Sequence, residues 1–262
     1  MSLFCISDLH LGNRGFRDNF AQNEGAFFRF LDYVEQQQGL LLILGDLLET
    51  WQFNFSDCVV ANQKLLRTLC CTGPDGARWV LGNHDATLTQ FLGTDIQLIH
   101  ANLPSMSGPF EHVIGGKKFA FLHGHESDPY CRDLSPGMGE LTAIMSAMLE
   151  DKNRGTNADG RAVEDGFIAS LEWPLNIWRK ITAGRSRRDE MLDLVESYRQ
   201  EKLADVVVYG HTHEQGRIGN HHYNCGCWCR DHNGFTRIES DGTVGLFEWR
   251  DNKAIPFDKE LR

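Results

Sequence analysis

Short apolar runs along the chain each end in a polar cluster. SLFCIS leads into Asp8-Leu9-His10, LLLIL into Gly45-Asp46 and RWVL into Gly82-Asn83-His84-Asp85. KFAFL leads into His123-Gly124-His125, and DVVVY into Gly210-His211-Thr212-His213. The runs are rich in apolar and β-branched residues and are closed by small ones, as buried strands are. Helical spacing separates several of them. Phe27, Phe30, Leu31 and Val34 fall at i, i+3, i+4 and i+7, which predicts an amphipathic helix. Met191, Leu194, Val195 and Tyr198 repeat that spacing just before DVVVY. A third helix is expected over Asp57–Cys71, with Asn62 and Gln63 interrupting its stripe. Strand–helix alternation points to α/β layering. Ligands in such folds gather beyond the carboxyl ends of the strands, and all five polar clusters stand there.

After about Gly216 no helical period is visible. FTRIES and TVGLFEW read as strands, joined by a hairpin turn at Asp241-Gly242. The segment 129–200 differs again. It contains a helical stretch, GELTAIMSAMLE, a polar loop, and then FIASLEWPLNIWRK with a basic run through Arg188. It separates two strands whose ends both carry cluster residues, so it reads as a helical insertion, or cap, within one domain spanning 1–262.

Composition narrows the function classes. A chain of 262 residues, 41% hydrophobic, suits one large domain with an insertion. The net charge of −10 disfavours non-specific nucleic-acid binding. The sequence has no run of the ~20 apolar residues a membrane span needs. The first residues enter a strand without a basic or cleavable leader pattern. The eight cysteines show no disulfide-framework spacing. A cytoplasmic protein is the expectation.

The clusters supply seven side chains suited to metal: Asp8, His10, Asp46, Asn83, His123, His211 and His213. Seven exceed the four of a structural zinc site. Divided between two ions with one carboxylate shared, they give four protein ligands to each and leave room for a bridging water or hydroxide. Two ions ~3.5–4 Å apart form the clamp that phosphoryl hydrolysis uses, with that hydroxide attacking phosphorus. A mixed nitrogen and oxygen set without thiolate suits Mn, Fe, Zn or Ni. His84 is a candidate to contact phosphate or protonate the leaving oxygen. Asp85 is a candidate to orient a neighbouring imidazole. On an extended strand end His211 and His213 would face the same way, yet the ligand count assigns them to different ions.

DLH, GD, GNHD, HGH and GHTH, in this order, resemble the five-part motif of calcineurin-like metallophosphoesterases. The resemblance covers about Met1 to Tyr130 and Asp205 to the end. It implies a sandwich of two mixed β-sheets flanked by helices. It also implies that Asp8, His10, Asp46 and His213 hold one ion, and that Asp46, Asn83, His123 and His211 hold the other. His84 matches the family's catalytic histidine. His123, the first histidine of HGH, matches the ligand, which leaves His125 as a candidate to touch substrate. Arg14, soon after DLHLGN, and Trp51, closing GDLLETW, are further substrate candidates.

Family members that dephosphorylate proteins carry Asp-Arg-Gly after the bridging aspartate. This chain has GDLLETW, which argues against a protein substrate. That segment and the cap resemble the UDP-diacylglucosamine hydrolases, although those typically have arginine where this chain has His84. The implied substrate is a phosphorylated small molecule or a lipid-linked nucleotide; a diester, a pyrophosphate and a monoester all remain open. Trp173, Trp178 and the basic residues Arg179, Lys180, Arg185, Arg187 and Arg188 would form an acyl lid or a contact with an anionic membrane. The alternative is a helix packed on the core with solvated charges. Two other functions stay in play: a nuclease of the same family, and a non-catalytic scaffold on this fold. Scaffold members often lose ligands, whereas all seven are present here. NCGCWC places Cys225, Cys227 and Cys229 on one face of an expected strand, as buried packing residues without zinc-type C-x-x-C spacing.

Overall fold

Alternate side chains of the apolar strands face two different cores. In the computed structural model, residues 1–15, 18–91, 103–128, 187–229 and 231–261 are described. Strand β1 (Leu3–Ile6) pairs in parallel with β2 (Leu40–Leu44), which pairs in parallel with β3 (Arg78–Val80). Phe4, Ile6, Leu41, Ile43 and Trp79 point to one side of this sheet, and Cys5, Leu42, Leu44 and Val80 to the other. This period of two is what a strand buried on both faces requires.

Among the described residues seven strands make the first sheet. Beyond β3 lies β4 (Ser105–Ser107), and beyond β1 lie the antiparallel strands β10 (Gly234–Ile238), β11 (Val244–Arg250) and β12 (Lys253–Phe257). The β10–β11 turn is the hairpin expected at Asp241-Gly242, with Gly242 at φ 80°. The second sheet runs β5 (Phe110–Ile114), β6 (Lys117–Phe121), β7 (Val206–Tyr209), β9 (His222–Asn224) and β8 (Gly216–Ile218). Its three central strands are parallel and its edge strands antiparallel. Phe119, Phe121, Val206 and Val208 pack with Cys5, Leu42, Leu44 and Val80 between the sheets. The result is a sandwich of two mixed sheets.

Helices cover the outer face of the first sheet. Helix α1 (Glu24–Gln36) buries Phe27, Phe30, Leu31 and Val34, the stripe its spacing predicts. The helix expected over Asp57–Cys71 is instead two, α2 (Phe55–Ala61) and α3 (Gln63–Cys71). Asn62 breaks it: its side-chain amide donates to the carbonyls of Gly12 (2.6 Å) and Cys58 (2.8 Å). A side chain that bonds its own backbone in this way competes with continued helix.

By contacts the chain forms two units, Met1–Gly124 with Arg199–Arg262, and His125–Tyr198. Helix α4 (Arg187–Glu201), which lies in the second unit as far as Tyr198, buries Met191 and Val195. The expected helix GELTAIMSAMLE, the Trp173–Trp178 lid and the basic residues Arg179, Lys180 and Arg185 lie outside the described residues, as do the side chains of Arg187 and Arg188. Among the described residues no helix is long and apolar enough to cross a membrane.

Phe30 sits where helix meets sheet, its ring centre 4.9 Å from that of Trp228, 5.0 Å from Phe235 and 5.7 Å from Trp249. Phe30→Ala is expected to cost about 3–5 kcal/mol. It should appear as a lower urea midpoint with an unchanged slope.

Candidate metal centre

The centre lies where β1, β2 and β3 of one sheet and β6 and β7 of the other end. The pairing of β1 with β2 continues past both strands. The N–H of Asp8, His10 and Leu11 donate to the carbonyls of Gly45, Asp46 and Leu47, and Glu49 N–H donates back to Leu11. Two loops are thereby held as one, bringing Asp8, His10, Asp46 and Glu49 together. Five residues there adopt left-handed backbone: Asp8 (φ 55°), His10 (51°), Asp46 (51°), His211 (71°) and His213 (57°). Each costs on the order of 1–3 kcal/mol and persists only where its surroundings hold it. The glycines of the motifs make room. A Cβ on Gly82 would lie 2.2 Å from Asp46 Oδ1, and one on Gly210 would lie 1.8 Å from Ser7 Oγ.

The donors fall into groups. Asp8, His10 and His213 form one, and Asp46, His123 and His211 another. His213 Nε2 lies 3.2 Å from Asp8 Oδ1 and 3.1 Å from His10 Nε2. His123 Nε2 lies 3.2 Å from Asp46 Oδ2 and 3.1 Å from Asn83 Oδ1. Asp46 Oδ2 also stands 3.9 Å from His10 Nε2, so this carboxylate lies between the groups. All seven candidate ligands gather here. His211 and His213 fall in different donor groups, but not on an extended strand end: β7 stops at Tyr209 and both histidines turn left-handed.

Glu49 was not singled out from sequence. It is buried, and its two oxygens accept from two imidazoles, His10 Nδ1 at 2.8 Å and His84 Nδ1 at 2.7 Å. Both rings therefore turn Nε2 toward the centre. His123 is oriented likewise, its Nδ1–H donating to the Leu44 carbonyl at 2.7 Å. The signal in the sequence was the acid three residues after Asp46 in GDLLE. The orienting role expected of Asp85 is corrected accordingly. Asp85 is fully buried and accepts backbone N–H bonds from Leu47 (2.8 Å), Gly82 (2.5 Å) and Leu48 (3.4 Å). It locks the GNHD loop to the GDLL loop, and His84 N–H completes the lock on Asp46 Oδ1 at 2.9 Å.

Charge at the centre follows from burial and neighbours. Burial raises the Asp46 and Asp8 carboxyls, but the adjacent imidazoles, His123 and His84 for Asp46, His213 and His123 for Asp8, outweigh it and hold both well below the usual range. Burial likewise opposes ionisation of Glu49, yet His84 and His10 draw it down to about 2. Burial, reinforced by the Asp46 charge, pushes Asp85 up to about 7.

Trp51 stacks on His84 with ring centres 3.8 Å apart and planes 23° from parallel. It borders a cavity of about 340 Å³ lined mainly by polar side chains, among them Asn13, Gln52 and Asn54. Arg14 instead pairs with Glu24 through both terminal nitrogens. His125 opens a short 3-10 turn, His125–Ser127, in the second unit, 3.5 Å from Glu126. The expected cysteine strand is also corrected: β9 ends at Asn224, and Cys225, Cys227 and Cys229 are buried in the loop beyond it. Cys225 enters the core between the sheets, while Cys227 and Cys229 face His213.

The residues fit divalent cations. Among the described residues Asp8 Oδ1 is buried without a hydrogen-bond partner, a costly state for a carboxylate oxygen. The imidazoles of His10, His123 and His213 stand 3.2–3.9 Å from it, and a mixed nitrogen and oxygen donor set suits a borderline transition metal.

A family model described as calcineurin-like phosphoesterase matches residues 1–215. No curated protein matches the chain. Among solved structures, Vps29 of Entamoeba histolytica complexed with zinc is 14% identical with a TM-score of 0.45, covering 98% of this chain and 97% of that one. Vps29 of Cryptosporidium parvum is 15% identical with a TM-score of 0.46, covering 98% of each chain. A Streptococcus pneumoniae protein described as a predicted phosphoesterase is 13% identical with a TM-score of 0.38, covering 98% of this chain and 97% of that one.

Glu49→Gln keeps the shape of the side chain but removes the charge that holds His10 and His84. Metal affinity is expected to fall ~10–100-fold, measured by competition with a chromophoric chelator. The carboxyl of Glu49 sits below its unfolded value of 4.5, at about 2. In chelator-treated protein its stabilisation is therefore complete above about pH 4.5 and is lost as the pH falls toward 2. Urea unfolding of Glu49→Gln should show a shallower acid dependence than the parent over that window.

Proposed function

Because the chain belongs to the calcineurin-like phosphoesterase family, we propose that it is a metal-dependent hydrolase of phosphoester or pyrophosphate bonds, working through a two-ion centre. The observation that carries this reading is the division of the donors into two groups around the Asp46 carboxylate. Asp8, His10, Asp46 and His213 would hold one ion, and Asp46, Asn83, His123 and His211 the other. Mn, Fe or Zn bound there would supply Lewis acidity, making water a nucleophile at neutral pH and offsetting phosphoryl charge.

The remaining work falls to the chain. Glu49 fixes the His84 ring through Nδ1, so that Nε2 is aimed at a phosphoryl or leaving oxygen. Trp51 covers one face of that ring and limits its rotation and its exposure to water. The polar cavity beside Trp51 offers Asn13, Gln52 and Asn54 to the leaving group of a small phosphorylated molecule or a lipid-linked nucleotide. The buried free thiols of Cys5, Cys58 and Cys225 support a reducing compartment, the cytoplasm.

The test is a substrate panel on Mn- or Zn-loaded protein: a generic phosphodiester, a phosphomonoester, cyclic AMP, a UDP-linked lipid and single-stranded DNA. Turnover of at least one is expected, abolished by chelation and restored by added metal. No turnover with ions bound would leave a binding scaffold as the better reading. His84→Ala is expected to lower turnover ~10²–10⁴-fold with metal content unchanged; loss of both ions instead would overturn the role given to His84.

A further inference from the structure

We infer that Cys227, Cys229 and His213 form a second site, for a thiophilic ion such as Zn(II), Cd(II) or Cu(I), which shares its imidazole with the phosphoesterase centre. The two sulfurs and a ring nitrogen of His213 all lie within 4.8 Å of one another. Cys229 Sγ is 3.7 Å from His213 Nδ1. That is close to the ~3.6 Å edge between sulfur and nitrogen on a tetrahedral zinc ion. The other nitrogen of the same ring faces Asp8 Oδ1 at 3.2 Å. One imidazole thus looks into two donor sets of opposite character, hard oxygen and imidazole on one side, thiol on the other.

The loop that carries the sulfurs is fixed before any ion arrives. Gly226, at φ 77°, turns the chain just ahead of Cys227, and its N–H donates to Asn224 Oδ1. Asn224 Nδ2 reaches the Gly210 carbonyl (2.9 Å) and Thr212 Oγ1 (3.0 Å), tying the cysteine loop to the GHTH loop. Trp228 N–H bonds the Asp8 carbonyl, and Gly234 N–H bonds that of Cys227. The thiols are buried, at 1% and 4% exposure, while the His213 side chain is 42% exposed. An ion would enter past the imidazole, which leaves a fourth position to water. Cys225 takes no part: it receives the Thr236 hydroxyl in the core between the sheets.

Sharing has a chemical consequence. A neutral imidazole has one lone pair, so a soft ion on Nδ1 competes with a hard ion on Nε2 unless the ring loses its remaining proton. Binding at the cysteines releases the two thiol protons to solvent. Hard ions such as Mn(II) have little affinity for this sulfur pair, whereas thiolates select soft ones. The site is therefore a lock: a soft ion draws His213 away from the phosphoesterase centre.

Cadmium titration of Mn-loaded protein tests this, in a Cys70→Ser/Cys71→Ser background that removes the exposed Cys71 thiol and its half-buried neighbour. The ultraviolet thiolate-to-cadmium charge-transfer band should saturate at about one equivalent. Cys227→Ser and Cys229→Ser should each diminish it and the double variant abolish it, while Cys225→Ala keeps it. X-ray absorption at the cadmium edge of the folded parent should read two sulfur neighbours, and this measurement holds even where a serine variant fails to fold. A shell without sulfur, or a band that survives the double variant, overturns the site. Neither readout needs turnover, so it stands or falls separately from the hydrolase reading. Where turnover is measured, cadmium should inhibit Cys229→Ser about 10-fold more weakly than the parent.

Discussion

Two carboxylates, Asp8 and Asp46, are buried at the edge of the sandwich with their charge intact. Burying an isolated charge costs far more than any single contact in a protein returns. Everything around them follows from that constraint. Imidazoles converge on them from both sheets, backbone N–H groups of His84 and His211 donate to them, and the motif glycines let neighbouring chain come close enough to do so. The left-handed turns are part of the same solution, since they aim Asp8, His10, Asp46, His211 and His213 inward from loops that would otherwise carry them past the centre.

Orientation within the centre rests on very few groups. Glu49 sets two rings at once, one in the ligand set and one beside it. Asp85 does no such work; it holds the loops on which those rings stand. Near-neighbour acids of the same chemistry therefore have different tasks, one acting on imidazole and the other on backbone, and the difference arises from which loop each carboxylate turns toward.

This division explains what could be read in the sequence. The five buried strands and α1 were legible because period and burial coincide along them. The clusters that meet at the centre were legible because each follows such a strand. The break at Asn62 showed only as an interruption of the stripe, because it depends on a bond to Gly12, fifty positions away. Strand β5 hid for a different reason: its middle residues Glu111, His112 and Val113 are exposed, so no apolar alternation marks it. Glu49 stood in plain view in GDLLE, but its partners come from two other loops. The cysteines were rightly read as buried, yet spacing alone could not show that the chain leaves the strand at Asn224 and turns two sulfurs toward a histidine.

The donors come from both sheets, and this has a mechanical side. Asp8, His10, Asp46 and Asn83 extend from the first sheet, and His123, His211 and His213 from the second. In the core between them the layers are joined by apolar side chains, which tolerate sliding by fractions of an ångström. At this edge they are joined by directional bonds between fixed atoms, so the centre acts as a clasp that sets the spacing of the two layers.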